Sequence, residues 1–232
     1  MIRYILTDIE GTTTSISFVY ETLFPYFKRH IAAFLSTSDL PTEQQQHLQA
    51  VQQTVSEEGG TILSIAEMAD QLIAWTDADR KHPALKAMQG ILWRDAYQNN
   101  EISGHIYPDV PPALEFWKMA GIQMGVYSSG SVEAQHLLFG HSDFGDLTPF
   151  FSHYFDTSIG NKREQASYRA IQKIIDWPAH EILFLSDVEP ELDAAKAAGM
   201  QTVQIVRPGT TASEKHETAT DFAQINLKIK QL

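Results

Sequence analysis

The chain opens M-I-R-Y-I-L-T-D-I-E-G-T-T over residues 1–13, and its character changes halfway along. Ile2–Leu6 is apolar and β-prone apart from Arg3; Thr7, Asp8 and Gly11 then break the run. A short apolar run closed by turn residues predicts a buried strand ending in a loop. Asp8 and Glu10 leave that strand end together, Gly11 lets the chain turn, and the threonines offer hydroxyl and N–H groups. One such carboxylate can attack an electrophile while its neighbour handles the leaving-group proton. Asp, Gly and Thr are also ordinary turn residues, so the loop alone reads equally well as structural.

From Ser17 to Glu101 the pattern is instead helical, with Phe24, Phe27, Ile31 and Phe34 at helical spacing, a turn near Pro41, a Gln-rich piece over Glu43–Gln53 and a break at Gly59-Gly60. Ile62, Ile65, Met68, Ala69, Leu72 and Ile73 again fall on one helical face, and further helices are expected over Ile73–Arg80 and His82–Gln98. From Ile106 strands and helices alternate. Expected strands are Ile122–Tyr127, His153–Asp156, Glu181–Leu185 and a last one, Gln201–Val206. Expected helices run from Pro108 through Trp117 and over Val132–Leu138, Arg163–Ile175 and Leu192–Ala198. The tail beyond Gly209 is polar and weakly periodic. Repeated alternation predicts an α/β fold with a doubly wound parallel sheet, residues 1–16 and 102–232 forming the core and 17–101 an inserted helical cap.

Ligands of such sheets bind at the carboxyl ends of the strands. Four of those ends carry chemistry: Asp8 with Glu10; Ser128 and Ser129 in Y-S-S-G-S; Lys162, just past a strand; and Asp187, Glu189 and Glu191 in F-L-S-D-V-E-P-E. Each has a plain reading: a helix N-cap for the serines, a solvated lysine, acidic capping for the last acids, which is the better reading for Glu189. As a set they suit phosphate chemistry. Ser128 and neighbouring amides can hold a phosphate oxygen, Lys162 is a point cation, and Asp187 is a hard oxygen ligand.

Composition narrows the field. The chain has 232 residues, 43% hydrophobic and 20% charged, with 17 Lys+Arg against 29 Asp+Glu for a net charge of -12. That excess argues against nucleic acid as a partner. The absence of cysteine removes disulfides, thiol catalysis and thiolate metal sites. No apolar run reaches the roughly 18 residues of a membrane span, and the charged N-terminus does not suit a secretory signal. A cytoplasmic monomer without membrane or nucleic-acid partners is expected. His136 and His141 are five apart and lack the spacing of a helical metal pair.

Acid pair, serine, lysine and acid, in that order and each at a strand end, resemble the haloacid dehalogenase superfamily of phosphohydrolases. The resemblance covers the whole chain. Glu10 departs from the superfamily pattern, which has Asp there. With G-H-I-Y-P-D-V-P-P-A-L at 104–114 and S-D-V-E-P-E-L-D-A-A from Ser186, that departure resembles a branch that enolises a small phosphorylated diketone and then removes its phosphate. The resemblance implies Asp8 as nucleophile through an aspartyl-phosphate, Asp8 and Glu10 as catalytic residues, and one magnesium ion per chain at Asp8, Glu10 and Asp187. It further implies Ser128, Ser129 and Lys162 for substrate phosphate, and Glu191 one layer behind, orienting metal waters. Glu10 is the candidate enolising base; His105 reads as structural. The cap is expected to close over the site, with Phe18, Tyr20, Trp93 and Tyr97 as candidates for an apolar pocket or as cap core. A phosphatase for another small ester is the alternative. A dehalogenase would leave the acid pair without a purpose, and a binding module would not need the full set.

Overall fold

The computed structural model describes residues 1–37 and 40–231; of the spans assigned above, residues 38, 39 and 232 lie outside them. The chain divides into two compact units, Met1–Ile16 with everything from Ser103 onward, and Ser17–Ile102. In chain order, β1 (Tyr4–Thr7) is followed by α1 (Ile16–Phe18), a π-helical turn at Val19–Leu23, α2 (Phe24–Leu35), α3 (Thr42–Glu57), α4 (Ile65–Asp77) and α5 (Pro83–Gln98). Then come α6 (Val110–Met119), β2 (Gln123–Tyr127), α7 (Val132–Gly140), β3 (His153–Phe155), α8 (Gln165–Ile175) and β4 (Ile182–Ser186). The chain continues through α9 (Glu189–Ala197), β5 (Gln201–Ile205), β6 (Glu217–Ala219) and α10 (Phe222–Gln231).

The helical unit has its own core. Phe27, Ile31 and Leu35 of α2 lie four apart, one stripe of a helix, and pack with Val51 and Val55 of α3, Leu72 of α4 and Met88 of α5. The glutamines of the Gln-rich piece lie mostly on the exposed side of α3. One expectation is corrected: no helix begins at Ile73. The buried stripe Met68, Leu72, Trp75 and Thr76 runs through that point, and Ser64 and Glu67 close a capping box at the true start. Phe18, Trp93 and Tyr97 are buried and Tyr20 is exposed. The Trp93 indole donates to the Leu23 carbonyl at 3.0 Å, which serves the core of this unit.

In the other unit the sheet order is β3-β2-β1-β4-β5-β6. Every pairing is parallel. All four residues of β1 are buried. A strand covered on both faces reads as a nearly continuous apolar run, which is why the opening residues carry so plain a signal. On one face Tyr4, Leu6, Tyr127 and Phe184 pack against Tyr168, Ile171 and Ile175 of α8. Thr7 pairs with Val126 of β2 and Leu185 of β4. The carboxyl ends of the three central strands therefore stand side by side where the strand order reverses, the place such sheets keep for ligands.

The strand over Gln201–Ile205 is not the last. β6 adds a parallel edge, with Val203 opposite Glu217, and α10 follows. Only Ala219 of β6 is buried, so the strand carries almost no apolar pattern. α9 starts at Glu189, ahead of the expected Leu192. Among the described residues no helix is long and apolar enough to cross a membrane.

Candidate active site

Asp8 stands one residue past β1, and its N–H still donates to the Leu185 carbonyl at 2.8 Å. The ladder thus delivers Asp8 beside Ser186 and Asp187. The loop beyond it is tight: the N–H groups of Thr12, Thr13 and Thr14 all point to the carbonyl of Ile9, at 3.1, 2.9 and 3.0 Å. Gly11 has φ +78, and a Cβ there would collide with the Asp187 carboxylate. Both the left-handed backbone and the close approach require glycine.

Lys162 is not a surface lysine. It is 7% exposed, and its Nζ lies 2.5 Å from Oδ1 of Asp8 and 2.8 Å from Oε2 of Glu191. The turn that carries it, ahead of α8, is pinned by hydroxyls. Tyr127 donates to Gly160 O at 3.0 Å, Ser167 to Asn161 O at 2.7 Å and Tyr168 to Lys162 O at 2.7 Å. Burial alone would lower the Lys162 pKa, but Asp8 and Glu191 outweigh it and hold the ammonium above the usual lysine range.

The serine loop divides its labour. Ser131 caps α7, its hydroxyl accepting from Ala134 N at 3.2 Å. Ser128 is thereby released from capping: its hydroxyl donates to Oε2 of Glu10 at 3.0 Å and accepts from Gly130 N at 3.0 Å. The Gly130 amide is therefore turned to Ser128. Ser129 lies between them, half-buried.

Asp187 is held through its backbone. Its N–H donates to Thr12 Oγ1 at 3.1 Å and its carbonyl accepts from Gln204 Nε2 at 2.9 Å. Its Oδ1 is buried with no hydrogen-bond partner. Burial, then the charge of Asp8, pushes its pKa up to about 7. Burial and Asp8 also raise Glu10, against the pull of Lys162 and Ser128. Glu191 is pushed up to about 7 by burial and Asp8, with Lys162 and Ser186 opposing. Its carboxylate meets Lys162 and, at 3.0 Å, the Ser186 hydroxyl. It is thereby a counter-ion for the lysine. His105 bonds to the segment that follows the acid loop: its Nδ1 accepts from Ser15 N at 3.2 Å. Glu189 pairs with Lys215 at 2.6 Å, outside the cluster.

Asp8 and Glu191 thus hold one ammonium, with Glu10 and Asp187 as further acids of the same cluster. Among the described residues no three acidic or histidine side chains form a ready-made metal group. The donors still fit magnesium. An orphaned, buried carboxylate oxygen on Asp187 and an excess of acid over base ask for a further cation. Magnesium takes oxygen ligands, and one or two carboxylates suffice because it keeps several waters. The Thr12 hydroxyl is one of those the acid loop offers in the sequence; Ser186 has a local signal, standing beside Asp187 at a strand end, and Gln204 has none.

A buried aspartate and a lysine thus meet at the switch point of a doubly wound sheet, with a second acid two residues on. The family described as haloacid dehalogenase-like hydrolase matches residues 2–199. The Enolase-phosphatase E1 of Picosynechococcus sp. is 52% identical over 225 residues, covering 97% of this chain and 98% of that one. The Enolase-phosphatase E1 of Erwinia tasmaniensis is 48% identical over 229 residues, 99% of each chain. The crystal structure of the Unknown transcript 4 protein of Saccharomyces cerevisiae superimposes with a TM-score of 0.79 at 33% identity, covering 97% of this chain and 100% of that one. The chain belongs to the haloacid dehalogenase-like hydrolases and, among them, to the enolase-phosphatases.

Proposed function

We propose that the chain converts 2,3-diketo-5-methylthiopentyl-1-phosphate to the acireductone 1,2-dihydroxy-3-keto-5-methylthiopentene and phosphate, in methionine salvage, by enolisation followed by dephosphorylation. The observation that carries the phosphatase half is Asp8, buried at 3% exposure with its Oδ1 held 2.5 Å from Lys162. An aspartate so oriented is a nucleophile aimed from a fixed strand end. Asp8 attacks phosphorus and the bond to the leaving enol oxygen breaks. Glu10, whose pKa burial and Asp8 raise, is the acid that donates a proton to that oxygen. In the return step Glu10, now ionised, takes a proton from the water that cleaves the aspartyl-phosphate, and Asp8 is regenerated. Lys162 offsets the charge gathered between Asp8 and the phosphoryl group; Ser128 and Ser129 bind the phosphate oxygens.

The Asp8 and Asp187 carboxylates would hold magnesium, with Glu10 contributing its main-chain carbonyl because its side chain is engaged by Ser128. When bound, the ion supplies Lewis acidity toward substrate oxygens and charge for the phosphoryl transfer. The net charge of -12 supports a small-molecule substrate and a protein that works free of nucleic acid and membrane. We read it as a cytoplasmic monomer.

The test is incubation of the protein with the diketone phosphate and magnesium, following the enol by ultraviolet absorbance and phosphate by colour, beside Asp8→Asn. Enol and phosphate are expected from the parent, with phosphate lost in the variant and on chelation. Phosphate from generic esters without turnover of the diketone would overturn the substrate.

A further inference from the structure

Arg207 follows β5, and its guanidinium is buried, 7% exposed, at 4.0 Å over the ring of Tyr107. Nη1 and Nη2 meet the two carboxylate oxygens of Asp109, each at 2.9 Å. Asp109 is held in turn by the N–H of Phe222 at 2.8 Å, so the α10 end of the chain braces the pair. The fork then does something an ion pair does not need: Nε and Nη2 both donate to the carbonyl of Thr12, at 3.1 and 3.0 Å.

Thr12 is fully buried and is bonded in both directions. Its hydroxyl accepts from the N–H of Asp187 at 3.1 Å, and its own N–H closes the loop on Ile9. Gly11, its neighbour, packs directly against the Asp187 carboxylate. The position of Thr12 therefore sets how the Asp8–Glu10 loop stands relative to Asp187.

We propose that Arg207, braced by Asp109, is a positioning residue that fixes the spacing of the Asp8 and Asp187 carboxylates through Thr12, and with it the affinity of the site for a divalent cation. Lysine cannot replace it. An ammonium is a point donor, whereas two bonds to Asp109 and two to one carbonyl need a planar fork held at fixed angles. Groups one layer behind metal ligands typically govern about 10- to 100-fold of metal affinity.

The inference rests on the magnesium reading above, and direct binding separates the two. Magnesium is titrated calorimetrically into substrate-free wild type, Arg207→Lys and Thr12→Val, with thermal melts confirming folding. Thr12→Val keeps the carbonyl that Arg207 holds and removes only the acceptor for Asp187. The expected result is a loss of magnesium affinity of about 10- to 100-fold in each, with little further loss in the double variant because both act along one path. Wild-type affinity in both folded variants would overturn the role, and a loss in Arg207→Lys without one in Thr12→Val would overturn the route through Thr12. If Arg207→Lys does not fold, Thr12→Val decides alone. A wild type that binds no magnesium overturns the metal reading and the clamp with it.

Discussion

Ser128 donates its hydroxyl to Oε2 of Glu10 across 3.0 Å, tying the second acid of the β1 loop to the loop that follows β2. Glutamine at position 10 has the same shape and can still accept from Ser128 through its amide oxygen, but it carries no transferable proton. Glu10→Gln is expected to slow phosphate release by about 10²- to 10⁴-fold, the usual share of a general acid. Magnesium affinity should stay within a few-fold, because the main-chain carbonyl is unchanged. Single-turnover phosphate release beside calorimetry checks both halves, and a near-parental rate would assign the proton to another group.

Lys162 stands between Asp8 and Glu191 in the interior, at 2.5 and 2.8 Å. Removing one partner of a buried charge cluster leaves the others uncompensated, at a cost of about 3–5 kcal/mol. Lys162→Met is expected to lose stability on that scale in urea unfolding without metal. Adding Glu191→Gln should recover part of it, since one orphaned charge is then gone.

The metal-free protein should grow less stable as pH rises from 4 to 7. Asp187 moves from 3.8 in the unfolded chain to about 7 in the fold, and Glu191 from 4.5 to about 7. Between those values the folded state binds more protons than the unfolded one, so stability falls with rising pH. Magnesium competes with those protons, so its affinity should climb over the same range. Urea midpoints at several pH values, with and without the ion, test this; a flat metal-free profile would mean the acids are ionised throughout.

Gly11→Ala forces a side chain into a left-handed backbone at φ +78 and against the Asp187 carboxylate. The backbone term alone is worth about 1–2 kcal/mol. The collision adds to it and displaces Asp187. The expected outcome is a lower melting temperature together with lost magnesium binding, whereas a variant with normal affinity would show that the two loops can part without harm.

The site was legible because its members sit at strand ends, where an apolar run stops abruptly at an acid or a serine. Asp8, Ser128 and Asp187 each carry that mark, and the parallel sheet brings them to one edge. Lys162 lacks it, since a lysine in a turn looks like any solvated lysine; the hydroxyls that pin its turn come from Tyr168, six residues on, and from Tyr127, a strand away. The Arg207–Asp109 pair spans 98 positions and leaves no local pattern. Its one trace is a basic residue closing an apolar strand, in V-R-P-G. β6 has no sequence signature because a three-residue edge strand with one buried side chain has no period to read. At Ile73 the opposite holds: a continuous stripe is easily cut in two, because Leu72 and Ile73 look like the end of one face and the start of another.

The central place of β1 has a consequence for how the molecule is made. Tyr4 pairs with Gln123 on one side and Ile182 on the other, so β1 cannot find both neighbours until β4 has been made. The helical insertion has a core of its own and can collapse during synthesis, but β1 keeps one edge open until most of the chain has been translated. Long-range parallel pairing of this kind is slow and leaves edges open to wrong partners. A ribosome stalled before β4 therefore presents β1 with one open apolar edge and with no Asp187 beside Asp8.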